Sequence, residues 1–212
     1  MRRRRSLLAP LALAPLALAA CAGDPPARVE GPPISYGHLT QLRLDVAGLD
    51  FAERDPMPGP NDIGRDLQPS AAEAVRIMGR DRLAAFGSEH RARFTVTRAQ
   101  ILRERQGGGG FLAADRGERL EARLAARLEV VDANGRRLGF AEAETTRART
   151  GVESTPAGRR IAAETLLRQA MFDLNTEFEF QIRRALRPYL VEGPGRAAPP
   201  SGEVRREALP PS

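Results

Sequence analysis

The run Glu118-Arg119-Leu120-Glu121-Ala122-Arg123-Leu124-Ala125-Ala126-Arg127-Leu128-Glu129-Val130-Val131 can be read in two ways. Leu120, Leu124 and Leu128 stand four apart, and most of these residues are good helix formers. Yet Leu120, Ala122, Leu124, Ala126, Leu128 and Val130 alternate with Arg119, Glu121, Arg123, Ala125, Arg127 and Glu129. That is the period of a strand with one buried face. The next residues, Asp132-Ala133-Asn134-Gly135, supply a hairpin turn. Strand, turn and return strand are therefore expected, the last over residues 137–149. There Leu138 and Phe140 begin on one phase and Ala141, Ala143 and Thr145 continue on the other, as across a bulge.

Outward from the hairpin, residues 39–51 alternate at Leu42, Leu44 and Val46, which predicts a strand. Three prolines at 56, 58 and 60 make residues 55–62 a loop over the domain. Ser70 and Glu73 form a capping box that opens a helix running to about Phe86 and stopping at Gly87. Val75, Met78, Leu83 and Phe86 are its expected buried stripe, with Arg76, Arg80, Asp81 and Arg82 in solvent. Residues 91–100 read as a strand with Ala92, Phe94 and Val96 on one face. A long helix over about 158–186 is expected to bury Ala163, Leu167, Ala170, Met171, Leu174, Phe178, Ile182 and Ala185, with Asp173, Glu177, Glu179, Arg183 and Arg184 turned away.

The resulting order, β-α-β-β-β-α, predicts an α+β two-layer sandwich: a four-stranded, mostly antiparallel sheet with both helices on its dry face. The folded domain is expected over 39–190. A Pro/Gly-rich tether (21–38) precedes it and a Pro/Gly-rich tail (191–212), expected to be disordered, follows it.

Residues 1–20 have the parts of a cleaved secretory signal: Arg2 to Arg5, an apolar run from Leu7 to Leu18, then Ala19 and Ala20. The apolar run is about a dozen residues against the roughly 20 a spanning helix needs, and it holds Pro10 and Pro15. Adjacent arginines before Ser6-Leu7-Leu8 faintly resemble a twin-arginine export signal, but arginine is also the ordinary charge of a general secretion signal. Cys21 follows at the cut and is the only cysteine, so no intrachain disulfide is available. All 33 basic residues are arginine, and four of them lie in the leader; the other 29 face 27 acids. Such a balance leaves no nucleic-acid footprint.

Leu18-Ala19-Ala20-Cys21, with the small Ala22 after it, resembles the bacterial lipobox. The resemblance implies diacylglycerol on the Cys21 sulfur, cleavage before it, acylation of the new amine, and a membrane-held domain facing the periplasm. Ala22-Gly23 lacks the aspartate that favours inner-membrane retention among such lipoproteins, which implies the outer membrane. The element order, the proline-rich linker and the long closing helix also resemble auxiliary lipoproteins of envelope ABC transport systems. They resemble as well the lipoprotein partner of the lipopolysaccharide-assembly porin, and a group of alphaproteobacterial lipoproteins. The hairpin around Asp132-Ala133-Asn134-Gly135 and the helix around Leu166-Leu167-Arg168-Gln169-Ala170 carry most of this likeness, which covers residues 39–186 and implies topology only.

Catalytic chemistry finds little to build on. His38 and His90 have no ligand-like spacing, and Ser35, Ser70, Ser88 and Ser154 lie in no nucleophile-elbow pattern. Glu142 and Glu144 share one strand face and could pair as acid and base, although a charged outer face accounts for them. Gly107, Gly108, Gly109, Gly110 and Phe111 lack the Lys-Ser/Thr of a phosphate loop, leaving a hairpin connection or a contact loop for lipid or partner. Neither cofactor nor metal is expected. The leading expectation is a non-catalytic, lipid-anchored accessory or assembly component of an envelope transport system, with an envelope protein as partner. Its rivals are a module that binds anionic lipid or lipopolysaccharide through the arginine-bearing sheet face and, remotely, a hydrolase of envelope polymers.

Overall fold

A computed structural model describes residues 32–106 and 117–191. Strand β5 (Glu118–Val131) is the middle of a meander, antiparallel to β4 (Arg91–Arg105) on one side and to β6 (Arg137–Val152) on the other. The alternation therefore reports a strand: Leu120, Ala122, Leu124, Ala126, Leu128 and Val130 are all buried along one face. The turn closes as its residues suggest. Gly135 takes a left-handed φ of +78°, and Asp132 accepts backbone N–H bonds from Asn134 and Arg136, each at 2.9 Å. A bulge is present, but at Leu138 rather than between Phe140 and Ala141: Val130 pairs Gly139 while Val131 pairs Arg137, and Phe140 falls on the exposed face. A second bulge, at Thr97 of β4, passes the buried phase from Ala92, Phe94 and Val96 to Ala99 and Ile101.

The segment expected as one strand over 39–51 is two. Strand β1 (Leu42–Leu44) ends in a bend at 45–47, and β2 (Leu49–Phe51) then joins the main sheet parallel to β4. The main sheet thus has the order β2-β4-β5-β6. The bend holds because the Asp45 N–H donates to the Tyr189 carbonyl at 2.8 Å and the Ala47 N–H to that of Glu89 at 2.9 Å. Leu42, Leu44 and Val46 are nevertheless buried, as their spacing predicts.

Helix α1 (Ala71–Arg82) begins at the Ser70 cap, whose hydroxyl accepts the Glu73 N–H at 3.2 Å. It stops at Arg82, four residues short of the expected end. Leu83–Ala85 instead forms β3, parallel to β1 in a separate two-stranded sheet. Backbone bonds offered by β1 and the bend override helix propensity here: the Phe86 N–H reaches the Leu44 carbonyl at 2.8 Å and the Gly87 N–H that of Val46 at 3.0 Å. Phe86 leaves the expected stripe and is half exposed.

Helix α2 (Pro156–Ala185) starts two residues earlier than expected, capped by the Thr155 hydroxyl on the Gly158 N–H at 3.1 Å. Its thirty residues span about 45 Å and lie across β5 and β6. The expected stripe is buried except Ala185, whose place is taken by Leu186. Phe94 puts both helices on one side of the sheet. Its ring abuts Gly79 of α1, where an added Cβ would fall 2.8 Å from it, and stands edge-on to Phe178 of α2 at 5.6 Å.

Candidate functional site

Arg82 joins α1, α2 and the N-terminal segment. It ends α1, is fully buried rather than in solvent as expected, and donates Nε to Asn175 Oδ1 at 3.0 Å. Its other guanidinium nitrogens reach the Thr40 carbonyl and Glu179 Oε2. Glu179, also expected to face away, thus bridges Arg82 and Arg183. β1 is bonded directly to the segment after α2, the Val191 N–H donating to the Arg43 carbonyl at 2.9 Å, and a groove lies beside that seam.

That groove encloses about 530 Å³ and is floored by Leu42, Leu190 and Val191. Three arginines line it. Arg43 stacks on the Phe86 ring at 4.0 Å, and its Nε is buried with no partner among the described residues. Arg183 is held by Glu179 at 2.9 Å, and Arg187 is exposed on a short 3-10 turn. Guanidinium forks suit phosphate or carboxylate oxygens.

Several arginines of the sheet's outer face are held in ion pairs instead. Arg127 pairs with Glu142 at 3.0 Å, Arg137 with Glu129 at 3.3 Å, and Arg91 with Asp50 at 2.5 Å. Arg119 and Arg123 both hold Glu121, at 2.8 and 2.5 Å. These pairs neutralise part of the face, and Glu142 is consumed by that pairing while Glu144 is exposed. The free edge of β6 is a different feature. Over sixteen residues its only strand partner among the described residues is β5. Charged side chains such as Glu142, Glu144, Arg147 and Arg149 guard it against indiscriminate pairing.

The two histidines lie in different settings. His38 lines a hollow of about 260 Å³ between residues 33–39 and α2, whereas His90, at a left-handed φ of +59°, sets its ring edge-on to Tyr189 at 6.1 Å. Ser70 caps α1, and Ser35 donates to Asp81 at 3.3 Å. No group of three or more metal-ligating side chains occurs among the described residues. The lipid-attachment residue Cys21 and the loop Gly107, Gly108, Gly109, Gly110 and Phe111 lie outside the described residues.

Beyond Arg82 and Asn175, further buried polar groups have no signal strong enough to show in the sequence, among them Asp62, Tyr36 and Glu118. Asp62 Oδ1 accepts the Gly64 and Ile101 N–H groups, both at 2.9 Å, and ties the proline loop to β4; the Asp-x-Gly spacing was its available signal. Tyr36 donates its hydroxyl to the Met171 carbonyl at 3.2 Å, and burial, with Asp81 nearby, pushes its pKa up to about 12. Glu118 ends the dry row of β5 and is bound by both arms of Arg159 from the first turn of α2, at 2.6 and 2.9 Å. That bond holds its carboxyl below the usual range.

No family model matches the chain, and no curated protein does. Solved structures with some similarity to this chain include one described as a minor lipoprotein from Acinetobacter baumannii. It is 14% identical, covers 71% of this chain and 98% of its own, and has a TM-score of 0.39. A Xanthomonas campestris protein of the DUF330 family is 16% identical over 70% of this chain and 89% of its own, with a TM-score of 0.32. A PelC dodecamer from Paraburkholderia phytofirmans is 15% identical over 65% and 90%, with a TM-score of 0.24. At such identities and scores these likenesses carry nothing about what this chain binds or does.

Proposed function

We propose that this chain is a lipid-anchored, non-catalytic domain of the bacterial envelope, held in the outer membrane and facing the periplasm, that serves a transport system as an accessory or assembly component. The lipobox-like Leu18-Ala19-Ala20-Cys21 supports the anchor. The observation that carries the docking role is the open edge of β6: an extended segment of a partner can add there by main-chain hydrogen bonds, with the edge charges selecting it. The test is a photo-crosslinking residue at position 144 or 149 of the full chain in intact cells. A discrete adduct of constant mass with an envelope protein is expected. Absence of any adduct at both positions contradicts the docking role.

Anionic-lipid or lipopolysaccharide binding is the second reading, favoured by the three arginines, Arg43, Arg183 and Arg187, that line the groove. It predicts salt-sensitive binding of phosphatidylglycerol or lipopolysaccharide that weakens in Arg43→Gln and Arg187→Gln. Binding unaltered in both variants counts against it.

A further inference from the structure

The outward face of α2 carries two of the most exposed aromatic side chains of the described residues, Phe172 at 71% and Phe180 at 55%, with Ile161 at 39%. Ile161, Thr165, Arg168, Phe172, Thr176 and Arg183 fall at three-, four- and seven-residue intervals, so they form one ridge along the helix. The threonine hydroxyls on that ridge are spent within the helix. Thr165 donates to the Ile161 carbonyl at 2.8 Å and Thr176 to the Phe172 carbonyl at 3.1 Å, which leaves their methyl groups outward.

The acids of α2 are spent as well. Glu164 is bonded to Arg160 at 3.0 Å, Asp173 to Arg147, Glu177 to Gln181 at 2.7 Å, and Glu179 to Arg82 and Arg183. What the ridge offers is apolar surface flanked by guanidiniums, and of the helix's carboxylates only Glu177 has a neutral rather than a cationic partner. The chain also enters the domain here: Arg168 donates to the Pro32 carbonyl at 2.6 Å, which pins the start of the described chain to the middle of α2. Ten residues lie between Cys21 and Pro32, eleven steps from one Cα to the next. Even fully extended they reach no more than about 40 Å, less than the length of α2.

We infer that the outward ridge of α2 lies on the surface of the bilayer in which Cys21 is anchored, with Phe172 and Ile161 at the headgroup–acyl boundary and Arg168 among anionic headgroups. The inference rests on the lipobox reading of Cys21. Acyl chains supply the attachment, and the helix face supplies the orientation. In that orientation the sheet's outer face, with Phe140, points away from the membrane.

The chain contains no tryptophan, so single reporters are unambiguous. Phe172→Trp, Ile161→Trp and, as the distal control, Phe140→Trp are placed in the full mature chain, whose acylation is verified by intact mass. Each is reconstituted in phosphatidylethanolamine–phosphatidylglycerol vesicles bearing brominated acyl chains. Side chains about 5–10 Å into the boundary should be within reach of quenching, so about a twofold or greater loss of emission is expected at 172 and 161, with none at 140. Acylated protein whose reporters at 172 and 161 are unquenched, or quenched no more than that at 140, overturns the orientation and leaves the anchor standing. Protein without acyl mass overturns the anchor, and the orientation with it.

Discussion

Replacing Arg82 by methionine keeps most of the side-chain volume and removes the charge from the end of α1. Three acceptors lose their donor: Asn175 Oδ1, the Thr40 carbonyl and Glu179 Oε2. They are not equal losses. Thr40 is exposed and its carbonyl can take water, while Glu179 is about one-third exposed and keeps Arg183. Asn175 is buried, and orphaning its amide oxygen costs about 1–3 kcal/mol. The charge-assisted bond to Glu179 contributes about 1.5–3 kcal/mol, partly returned because a guanidinium no longer has to be desolvated. The net loss for Arg82→Met is about 2–4 kcal/mol, a large share of the roughly 5–15 kcal/mol that holds a domain together. Urea unfolding followed by far-UV circular dichroism reads it as a midpoint lowered by about 1–2 M at an m-value near 2 kcal/mol/M. Adding Asn175→Leu should restore part of the loss, because both polar partners are then apolar. A single variant within about 0.5 kcal/mol of the parent, or a double variant no better than the single, refutes the hub.

Two glycines separate close approach from backbone strain. At Gly87 an added Cβ falls 2.5 Å from the Asp45 carbonyl carbon and 2.6 Å from the Val46 nitrogen, so Gly87→Ala must part β3 from the bend and should cost about 3 kcal/mol. At Gly135 nothing lies within 4 Å, and Gly135→Ala should cost only the left-handed strain, about 1–2 kcal/mol; thermal melts of the two variants check the ranking. The depressed carboxyl of Glu118 contributes stability that is complete above its ordinary value near 4.5 and is lost as pH falls through the lower folded value. Glu118→Gln should therefore lose about 2 kcal/mol at pH 7 and show a shallower decline of urea midpoint below pH 4.5 than the parent; equal acid slopes would sink that assignment.

What the sequence made legible follows from the range of the forces involved. Alternation over 118–131, the Asp132–Gly135 turn and the Ser70 cap are local signals read within a few residues, and they place the meander and both helices. The end of α1 was not legible, because Leu83-Ala84-Ala85 is helix-compatible and becomes strand only through β1, some forty positions upstream. Arg82 looked like any other arginine; its burial depends on Asn175 and Glu179, more than ninety positions away. The self-pairing of the outer face was half visible, since interspersed signs predicted a charged face but not which guanidinium meets which carboxylate. The groove of Arg43, Arg183 and Arg187 joins two ends of the domain and has no local signature at all.

The account stands on Cys21 more than on any other residue. Intact-mass measurement of the mature protein extracted from membranes of its native host tests this most directly. The account predicts a chain beginning at Cys21 and heavier than its sequence mass by a diacylglyceryl group and an N-acyl chain. A mature chain that begins elsewhere, or begins at Cys21 with a free thiol and free amine, would contradict it.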